Sequence, residues 1–229
     1  MDGKSNSAQW RPTSIVRCGA VVGGSSTRVI RADTDAGPAY LKVLGNPQGP
    51  QVLARDWIGT RLAKYLGLPV FEMAIIGIPD GLPGSVYQDQ RVSLTAGPAL
   101  ATRQESGYTW DGTDAGLKRV QNRSAVTKLV LFDTWTWNID RKPPAGADRK
   151  ANLGNVFLRY MAGGRQLQLM AIDHGECFPK PLVNAGRIDR IRDSRPYGLF
   201  DPFRQHMELE LAYGTLRAVP SLADFWIGG

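Results

Sequence analysis

Three short polar segments between positions 133 and 175 constrain the fold of this chain more than any other feature. In order, they are Asn138-Ile139-Asp140-Arg141, Asn155-Val156-Phe157-Leu158 and Ile172-Asp173-His174-Gly175. Asp140 follows a stretch with helical periodicity, whereas Asn155 begins and Asp173 ends apolar runs that are typical of strands. We expect the two runs to form a hairpin around residues 161–165, whose open end brings Asn155 and Asp173 side by side.

This group of oxygen atoms suits phosphoryl transfer from ATP. A carboxylate such as Asp140 can orient a hydroxyl group and accept its proton, which makes Asp140 the candidate catalytic base. Asn155 and Asp173 offer the hard oxygens that Mg²⁺ prefers, with ATP phosphates among its other ligands. Each residue alone could instead cap a helix or close a turn. The order of all three, each beside the matching apolar run, favours the functional interpretation.

A lysine and a glycine-serine segment in the first fifty residues add candidates for binding the nucleotide. Lys42 lies in a short strand, where a kinase lysine holds the α- and β-phosphates and pairs with an acid on the next helix. Asp56 is the candidate acid, although a surface charge on that helix is an equal alternative. Backbone N–H groups of Gly23-Gly24-Ser25-Ser26 can cradle phosphates, but an ordinary hairpin tip explains this segment as well.

Hydrophobic periodicity predicts an α+β chain. The first 91 residues predict a small sheet with one helix, residues 92–116 a hinge and loop, and the remainder mostly helix with one hairpin. Ser124 is a candidate helix cap. The expected strands are 14–22, 27–31, 39–44, 70–77, 85–91, 155–160 and 166–172. The expected helices are 51–66, 125–137 and 201–217. The first of these helices has Leu53, Trp57, Ile58, Leu62 and Leu66 on one face.

Composition narrows the class of protein. The 229 residues carry a net charge of +7, but the basic residues are scattered and no aromatic-basic pattern resembles an RNA-recognition motif. This favours a solvated basic face over direct nucleic-acid binding. No stretch approaches the roughly 18 apolar residues of a membrane span, and the polar N-terminus predicts a cytoplasmic location. Cys18 and Cys177 are far apart and are expected to be buried free thiols.

These segments resemble the HipA family of bacterial kinases, above all its short kinase domains that lack large accessory segments. The resemblance covers most of residues 15–180. Phosphatidylinositol kinases have a similar order of Asp-Arg, Asn and Asp-x-Gly, so the reaction class is better supported than the substrate class. The matching segments are Phe132-Asp133, Asn138-Ile139-Asp140-Arg141, Asn155-Val156-Phe157-Leu158, Ile172-Asp173-His174-Gly175, Gly23-Gly24-Ser25-Ser26, Tyr40-Leu41-Lys42-Val43 and Leu62-Ala63-Lys64-Tyr65-Leu66-Gly67-Leu68-Pro69-Val70.

The resemblance implies a two-lobed, protein-kinase-like fold. Residues 1–10 would form a flexible tail, 11–91 a small β-rich N-lobe with one helix that binds the nucleotide phosphates, and 92–229 a mostly helical C-lobe. The C-lobe would carry the catalytic and metal residues on a β-hairpin. The implied activity is ATP- and Mg²⁺-dependent phosphorylation, typically of protein Ser or Thr.

The resemblance also implies partners and regulation. Members of the family act as growth-arresting toxins that are paired with a DNA-binding antitoxin. Some act on aminoacyl-tRNA synthetases, so a translation factor or such a synthetase is the expected protein substrate. Some are silenced by autophosphorylation of a serine in the Gly/Ser loop, which makes Ser25 and Ser26 candidates.

Three features depart from the family pattern. Asp140 and Asn155 are fifteen residues apart, more than the family usually has, so residues 142–151 form an extra loop that either binds substrate or is a plain insertion. Asp148 in this loop precedes an arginine as Asp140 does and is a rival for the catalytic position. We prefer Asp140 because Asn138 and the preceding helix fit the family. Asp56 stands where a glutamate is expected.

Two other functional classes compete with a protein kinase. One is a kinase of a small molecule or a lipid headgroup, which a concave basic pocket would favour over an open peptide groove. The other is a pseudokinase or a basic nucleic-acid binder built on a kinase shell. The presence of Lys42, Asp140, Asn155 and Asp173 disfavours the pseudokinase, and RNA binding without metal or ATP would favour it. His174 is expected to hold position and not to react.

Overall fold

The computed structural model describes residues 10–23, 27–82, 85–87, 90–92, 94–178 and 195–208. Two compact units make up the chain: Met1–Ala54 with Phe71–Glu105, and Arg55–Val70 with Ser106–Gly229. The lobe boundaries predicted from the sequence, 11–91 and 92–229, stay a prediction. Helices and strands together give a mixed α/β protein.

The first unit contains an antiparallel five-stranded sheet and a separate two-stranded ribbon. The sheet has the order β1-β2-β3-β7-β4, and its core includes Ile30, Leu41 and Ile76. The predicted hairpin of the first two strands is confirmed, since Val21 pairs with Ile30. The strands are β1 (Ile15–Val21), β2 (Ile30–Thr34), β3 (Gly37–Lys42), β4 (Met73–Ile78), β5 (Ser85–Tyr87), β6 (Gln90–Val92) and β7 (Gly97–Arg103).

The expectation of a hinge and loop over residues 92–116 is wrong. Strand β7 lies inside the sheet, paired with β3 on one side and β4 on the other. Its central residues Ala99, Leu100 and Ala101 are all buried. Both faces of this interior strand are covered, so its sequence does not alternate between apolar and polar residues. Its buried residues also lack the β-branched side chains that are typical of strands. The single strand predicted over 85–91 is also wrong, since β5 and β6 are two paired strands.

The second unit contains most of helix α1 (Gln51–Tyr65), whose first turn belongs to the first unit. A three-stranded antiparallel sheet of order β10-β9-β8 packs with α3 around one apolar core. Ser124 is not the cap of α3, because Arg123 takes the N-cap position and makes no side-chain cap hydrogen bond. The other elements are β8 (Gly107–Thr109), α2 (Asp114–Leu117), α3 (Ser124–Thr136), β9 (Val156–Tyr160) and β10 (Leu167–Ala171).

The predicted hairpin around residues 161–165 is confirmed as β9 and β10. Leu167 pairs with Tyr160 at the turn, and Ala171 pairs with Val156 at the other end. Asn155 directly precedes Val156, and Asp173 lies two residues beyond Ala171. The register therefore places Asn155 and Asp173 at the same open end of the hairpin.

Helix α1 buries only part of the predicted face: Leu62 and Leu66 pack against the core of the second unit, as expected. Ile58 is 50% exposed, whereas Asp56, Gly59 and Ala63 are buried. The buried face also carries small and polar residues, because it lies against the chain after β10: a Cβ atom added to Gly59 would be 2.5 Å from the Cβ of His174. Hydrophobicity alone misses the part of the face where close backbone approach decides the packing.

The segment 195–208 packs on the second unit and does not begin with the expected helix over 201–217. A 3₁₀ helix (Asp201–Gln205) forms instead, and residues 209–217 lie outside the described residues. Phe203 is fully buried, and its ring centroid lies 5.0 Å from those of Trp110 and Phe200. This aromatic cluster anchors the segment.

The two thiols differ in their surroundings. Cys177 is fully buried, as expected, and burial raises the pKa of its thiol. Cys18 is only partly buried, so that part of the expectation is wrong. Within the residues that the structure describes, no helix has the length and apolar character needed to cross a membrane.

Replacing Phe203→Ala should lower the free energy of unfolding by about 3–5 kcal/mol, since it empties a closed aromatic cluster. Urea unfolding followed by tryptophan fluorescence measures the loss. Tyr65→Ala, at a side chain that is 80% exposed, is the control and should change stability by about 0.5 kcal/mol or less. Equal losses in the two variants would contradict the anchoring role of Phe203.

Candidate active site

Arg141 joins the end of α3 to both strands of the β9–β10 hairpin. Its side chain is fully buried and ion-pairs with the Asp133 carboxylate. Its Nε donates to the backbone oxygen of Asn155 at 3.0 Å, and its Nη2 donates to that of Ile172 at 2.8 Å. A planar guanidinium offers donors in fixed directions, so these three bonds define where the hairpin end lies relative to α3.

The turn after α3 is held by the same carboxylate. Trp137 ends the helix in the left-handed conformation, and Asn138 donates from Nδ2 to Asp133 Oδ1 at 3.1 Å. The Oδ1 atom of Asn138 then accepts from the backbone N–H of Asp140 at 3.2 Å. Complete burial raises the pKa of the Asp133 carboxyl, while Arg141 and Asn138 act in the opposite direction. We take Asp133 as ionised because its partner arginine is always charged.

The Asp140 side chain contacts the start of β9. Its Oδ2 accepts hydrogen bonds from Asn155 Nδ2 at 2.7 Å and from Asn152 Nδ2 at 3.1 Å. Its Oδ1 receives Arg149 Nη2 at 2.8 Å. The side chain of Asp140 is 22% exposed. One carboxylate oxygen is therefore fixed by two amides, and the other accepts from the partly exposed guanidinium of Arg149.

Asn155 and Asp173 reach the hairpin end in different ways. Asn155 ends a 3₁₀ helix (Leu153–Asn155) and is buried; Asn152 caps this turn by accepting from Gly154 N–H at 3.1 Å. Asp173 is partly exposed and adopts a left-handed φ of 53°. This conformation costs a residue with a side chain about 1–3 kcal/mol, and such strain is typical of functional sites.

Asp56 supports the segment that carries Asp173. Its Oδ1 accepts from the backbone N–H of His174 at 2.8 Å, and its side chain is buried. His174 is also fully buried, with its ring edge-on to Phe132 at 5.1 Å. His174 therefore lies in the packed interior, where a residue with a structural role is expected. The observed contact of Asp56 is with the backbone next to Asp173.

The other predicted residues lie in the first unit. Lys42 is buried at the end of β3, where it pairs with Leu100 of β7. Gly23 follows the first strand, while Gly24, Ser25 and Ser26 lie outside the described residues. The predicted Lys42–Asp56 pair and the phosphate-binding role of residues 23–26 stay predictions.

The rival carboxylate does not share the surroundings of Asp140. Asp148 lies in the exposed stretch 145–150, whereas Asp140 bonds directly to Asn155. Sequence reasoning gave no role to Arg141, Asn152 or Arg149. Asn152 has a usable signal, since an asparagine two residues before a glycine commonly caps a turn. Nothing in the sequence indicates that Arg149 reaches back to Asp140.

The oxygen atoms at the hairpin end fit a magnesium ion bound with a nucleotide. Asn155 uses Nδ2 as a donor to Asp140, so its Oδ1 remains an acceptor, and Asp173 contributes a carboxylate. No group of three or more His, Cys, Asp or Glu that could hold a metal occurs in the part of the chain that the structure describes. Two protein oxygens suit Mg²⁺, which keeps waters and phosphate oxygens among its six ligands.

Replacing Arg141→Met should lower the free energy of unfolding by about 3–5 kcal/mol, because it leaves the Asp133 charge buried without its partner. Chemical denaturation measures the loss, and adding Asp133→Asn should recover much of it. Arg17→Met is the control, since the Arg17–Asp33 pair is exposed and contributes about 1 kcal/mol or less. A loss in Arg141→Met no larger than in the control would contradict the cross-link.

Comparisons with known proteins give weak structural likenesses and one family match. The proinflammatory kinase CtkA of Helicobacter pylori aligns at 13% identity over 93% of this chain and 88% of that chain, with a TM-score of 0.47. The PknI kinase domain of Mycobacterium tuberculosis, a C20A mutant, aligns at 17% identity over 72% of this chain and 62% of that chain, with a TM-score of 0.34. Both scores are too low to support a conclusion.

A comparison with curated proteins gives no significant match. The sequence model of the HipA-like kinases, in contrast, matches residues 24–189. The matched range is well over half of the chain and includes Asp140, Asn155 and Asp173. The chain therefore belongs to the HipA-like kinase family.

Proposed function

We propose that this protein is an ATP- and Mg²⁺-dependent protein Ser/Thr kinase with a two-lobed, kinase-like arrangement. The observation that carries the proposal is the 2.7 Å hydrogen bond from Asn155 to Asp140. It joins the candidate base to the hairpin end that also holds Asp173. Membership of a kinase family supports a kinase-type phosphotransferase, and the finer assignment to protein Ser or Thr rests on the resemblance.

Asp140 acts as the general base in this proposal. ATP with Mg²⁺ supplies the phosphoryl group and neutralises charge during its transfer. The acceptor hydroxyl loses its proton to Asp140 Oδ1 as its oxygen bonds to the γ-phosphorus, and the bond from that phosphorus to the ADP oxygen breaks. Asn155 and Asn152 hold Oδ2, which leaves Oδ1 as the oxygen for the proton.

Other residues bind or position the reacting groups. Asn155 Oδ1 and the Asp173 carboxylate would hold Mg²⁺, and Lys42 would hold the α- and β-phosphates. The backbone of residues 23–26 would add N–H donors to the phosphates. Arg141 is a positioning residue, since it touches the backbone of Asn155 and not the substrate. Most of the catalytic effect of such a site comes from positioning and charge.

The biological setting follows from the family resemblance. A translation factor or an aminoacyl-tRNA synthetase is the proposed protein substrate, an antitoxin is the proposed partner, and growth arrest is the proposed effect. Ser25 and Ser26 are proposed autophosphorylation sites. An unmodified peptide spanning both serines after long incubation with Mg²⁺ and ATP would contradict the last proposal.

Asp140→Asn should reduce transfer of the γ-phosphate by about 10²-fold or more, since the amide cannot accept the hydroxyl proton. Transfer of labelled phosphate to proteins in a lysate of the source cells measures the effect. Asp148→Asn is the matched control and should retain wild-type transfer. Loss in Asp148→Asn with full transfer in Asp140→Asn would move the base to the rival position.

Asp173→Ala should remove detectable turnover, because the metal loses its only charged protein ligand in the proposed site.

Lys42→Ala should lower turnover by about 10²-fold or more, as the loss of other preorganised electrostatic groups does. Mg²⁺ titrations of ATP affinity and turnover measure both effects. Glu176→Gln, three residues from Asp173, is the control and should behave as wild type. Full activity in either Asp173→Ala or Lys42→Ala would contradict the assignment.

A further inference from the structure

Arg149 occupies the one oxygen of Asp140 that the amides leave open. Its Nη2 atom lies 2.8 Å from Asp140 Oδ1, and the two side chains are 41% and 22% exposed. Oδ2 already accepts from Asn155 and Asn152. A carboxylate oxygen has two lone pairs, so Arg149 blocks one of the two directions from which a substrate hydroxyl can bond to Oδ1.

The loop that carries Arg149 is anchored near its ends and exposed in its middle. At its start, Lys142 O accepts from Gly198 N–H at 2.8 Å, and Pro143 and Pro144 are buried. At its end, Asn152 N–H donates to the backbone oxygen of Arg141 at 2.9 Å. Residues 145–150 are exposed, and Ala145 O accepts from Arg195 Nη1 at 3.2 Å. The exposed Arg149 side chain can change its rotamer while Asp140 and the hairpin end keep their places.

We propose that Arg149 covers Asp140 in the resting enzyme and is drawn away by carboxylates that flank the acceptor hydroxyl of a peptide substrate. Arg149 thereby selects acidic peptides. This inference rests on the proposed kinase function and adds a substrate class and a specificity residue to it. It gives the extra loop over residues 142–151 a role that the family pattern does not supply.

The chemistry of the loop favours an acidic peptide. When the Arg149 guanidinium leaves Asp140, it loses a carboxylate partner. A Glu or Asp beside the acceptor serine or threonine of the peptide offers it another carboxylate of the same planar geometry. An exposed ion pair is weak, so the exchange needs little free energy. Lys150 adds a second exposed cation, and Asp148 is the one acidic residue among positions 142–151. The loop is net positive.

The test uses two synthetic peptides that share one serine and differ in its flanks, Glu in one and Gln in the other. We expect the wild type to have a higher kcat/KM for the Glu peptide. Arg149→Gln should reduce that preference about two- to fivefold, the range of an exposed ion pair. It should also raise Mg²⁺-dependent ATP hydrolysis without peptide, because Oδ1 is then more open to water. Lys150→Gln, an adjacent exposed cation with no bond to Asp140, should retain most of the preference and the low hydrolysis.

Three results would overturn the inference and leave the proposed function standing. They are equal kcat/KM of the wild type for the two peptides, an unchanged preference in Arg149→Gln, and an effect of Arg149→Gln on the KM for ATP alone. ATP hydrolysis that Asp140→Asn abolishes, without transfer to either peptide, would likewise reject peptide selection but keep a phosphotransferase. Absence of both hydrolysis and transfer in the wild type would overturn the proposed function itself.

Discussion

The rest of the site depends on the ion pair and hydrogen bonds of the buried Arg141 guanidinium. It joins the carboxylate of Asp133 on α3 to the backbone oxygens of Asn155 and Ile172 at the hairpin end. A well-packed apolar pair can be as stable as such a buried ion pair. An apolar pair cannot direct hydrogen bonds at two chosen carbonyl groups, however, so we interpret the charge pair as a device that fixes geometry.

The proposed active-site residues are held in place by polar contacts with their neighbours. Asp140 takes its position from the Asn138 turn and from Asn155, and Asp173 takes its position from the bond between Asp56 and the His174 backbone. The left-handed conformation of Asp173 is held on both sides, because Arg141 binds the backbone oxygen of Ile172 and Asp56 binds the backbone N–H of His174. Phosphoryl transfer depends on positioning, so these polar contacts matter as much as the reacting groups.

The sequence predicts the parts of this protein that have a local signal. Apolar alternation with Asn155 and Asp173 at its ends predicts the hairpin, and periodicity predicts α3 and the bounds of α1. Prediction from the sequence fails where long-range packing decides which residues form a strand or are buried. Strand β7 has small side chains because both its faces are covered, and α1 buries Gly59 because His174 approaches closely. The sequence also gives no sign of the bonds that Arg141 makes to the hairpin end or of the contact of Arg149 with Asp140. The spacing of these residues along the chain follows no recognisable pattern.

Asp140, Asn155 and Asp173 form one phosphoryl-transfer site in the proposed mechanism. A crystal structure with Mn²⁺ and a non-hydrolysable ATP analogue tests it most directly, since anomalous scattering locates the metal. We expect Mn²⁺ bound by Asn155 Oδ1 and a carboxylate oxygen of Asp173, with the γ-phosphate beside Asp140. A metal and nucleotide bound away from the open end of the β9–β10 hairpin would contradict it.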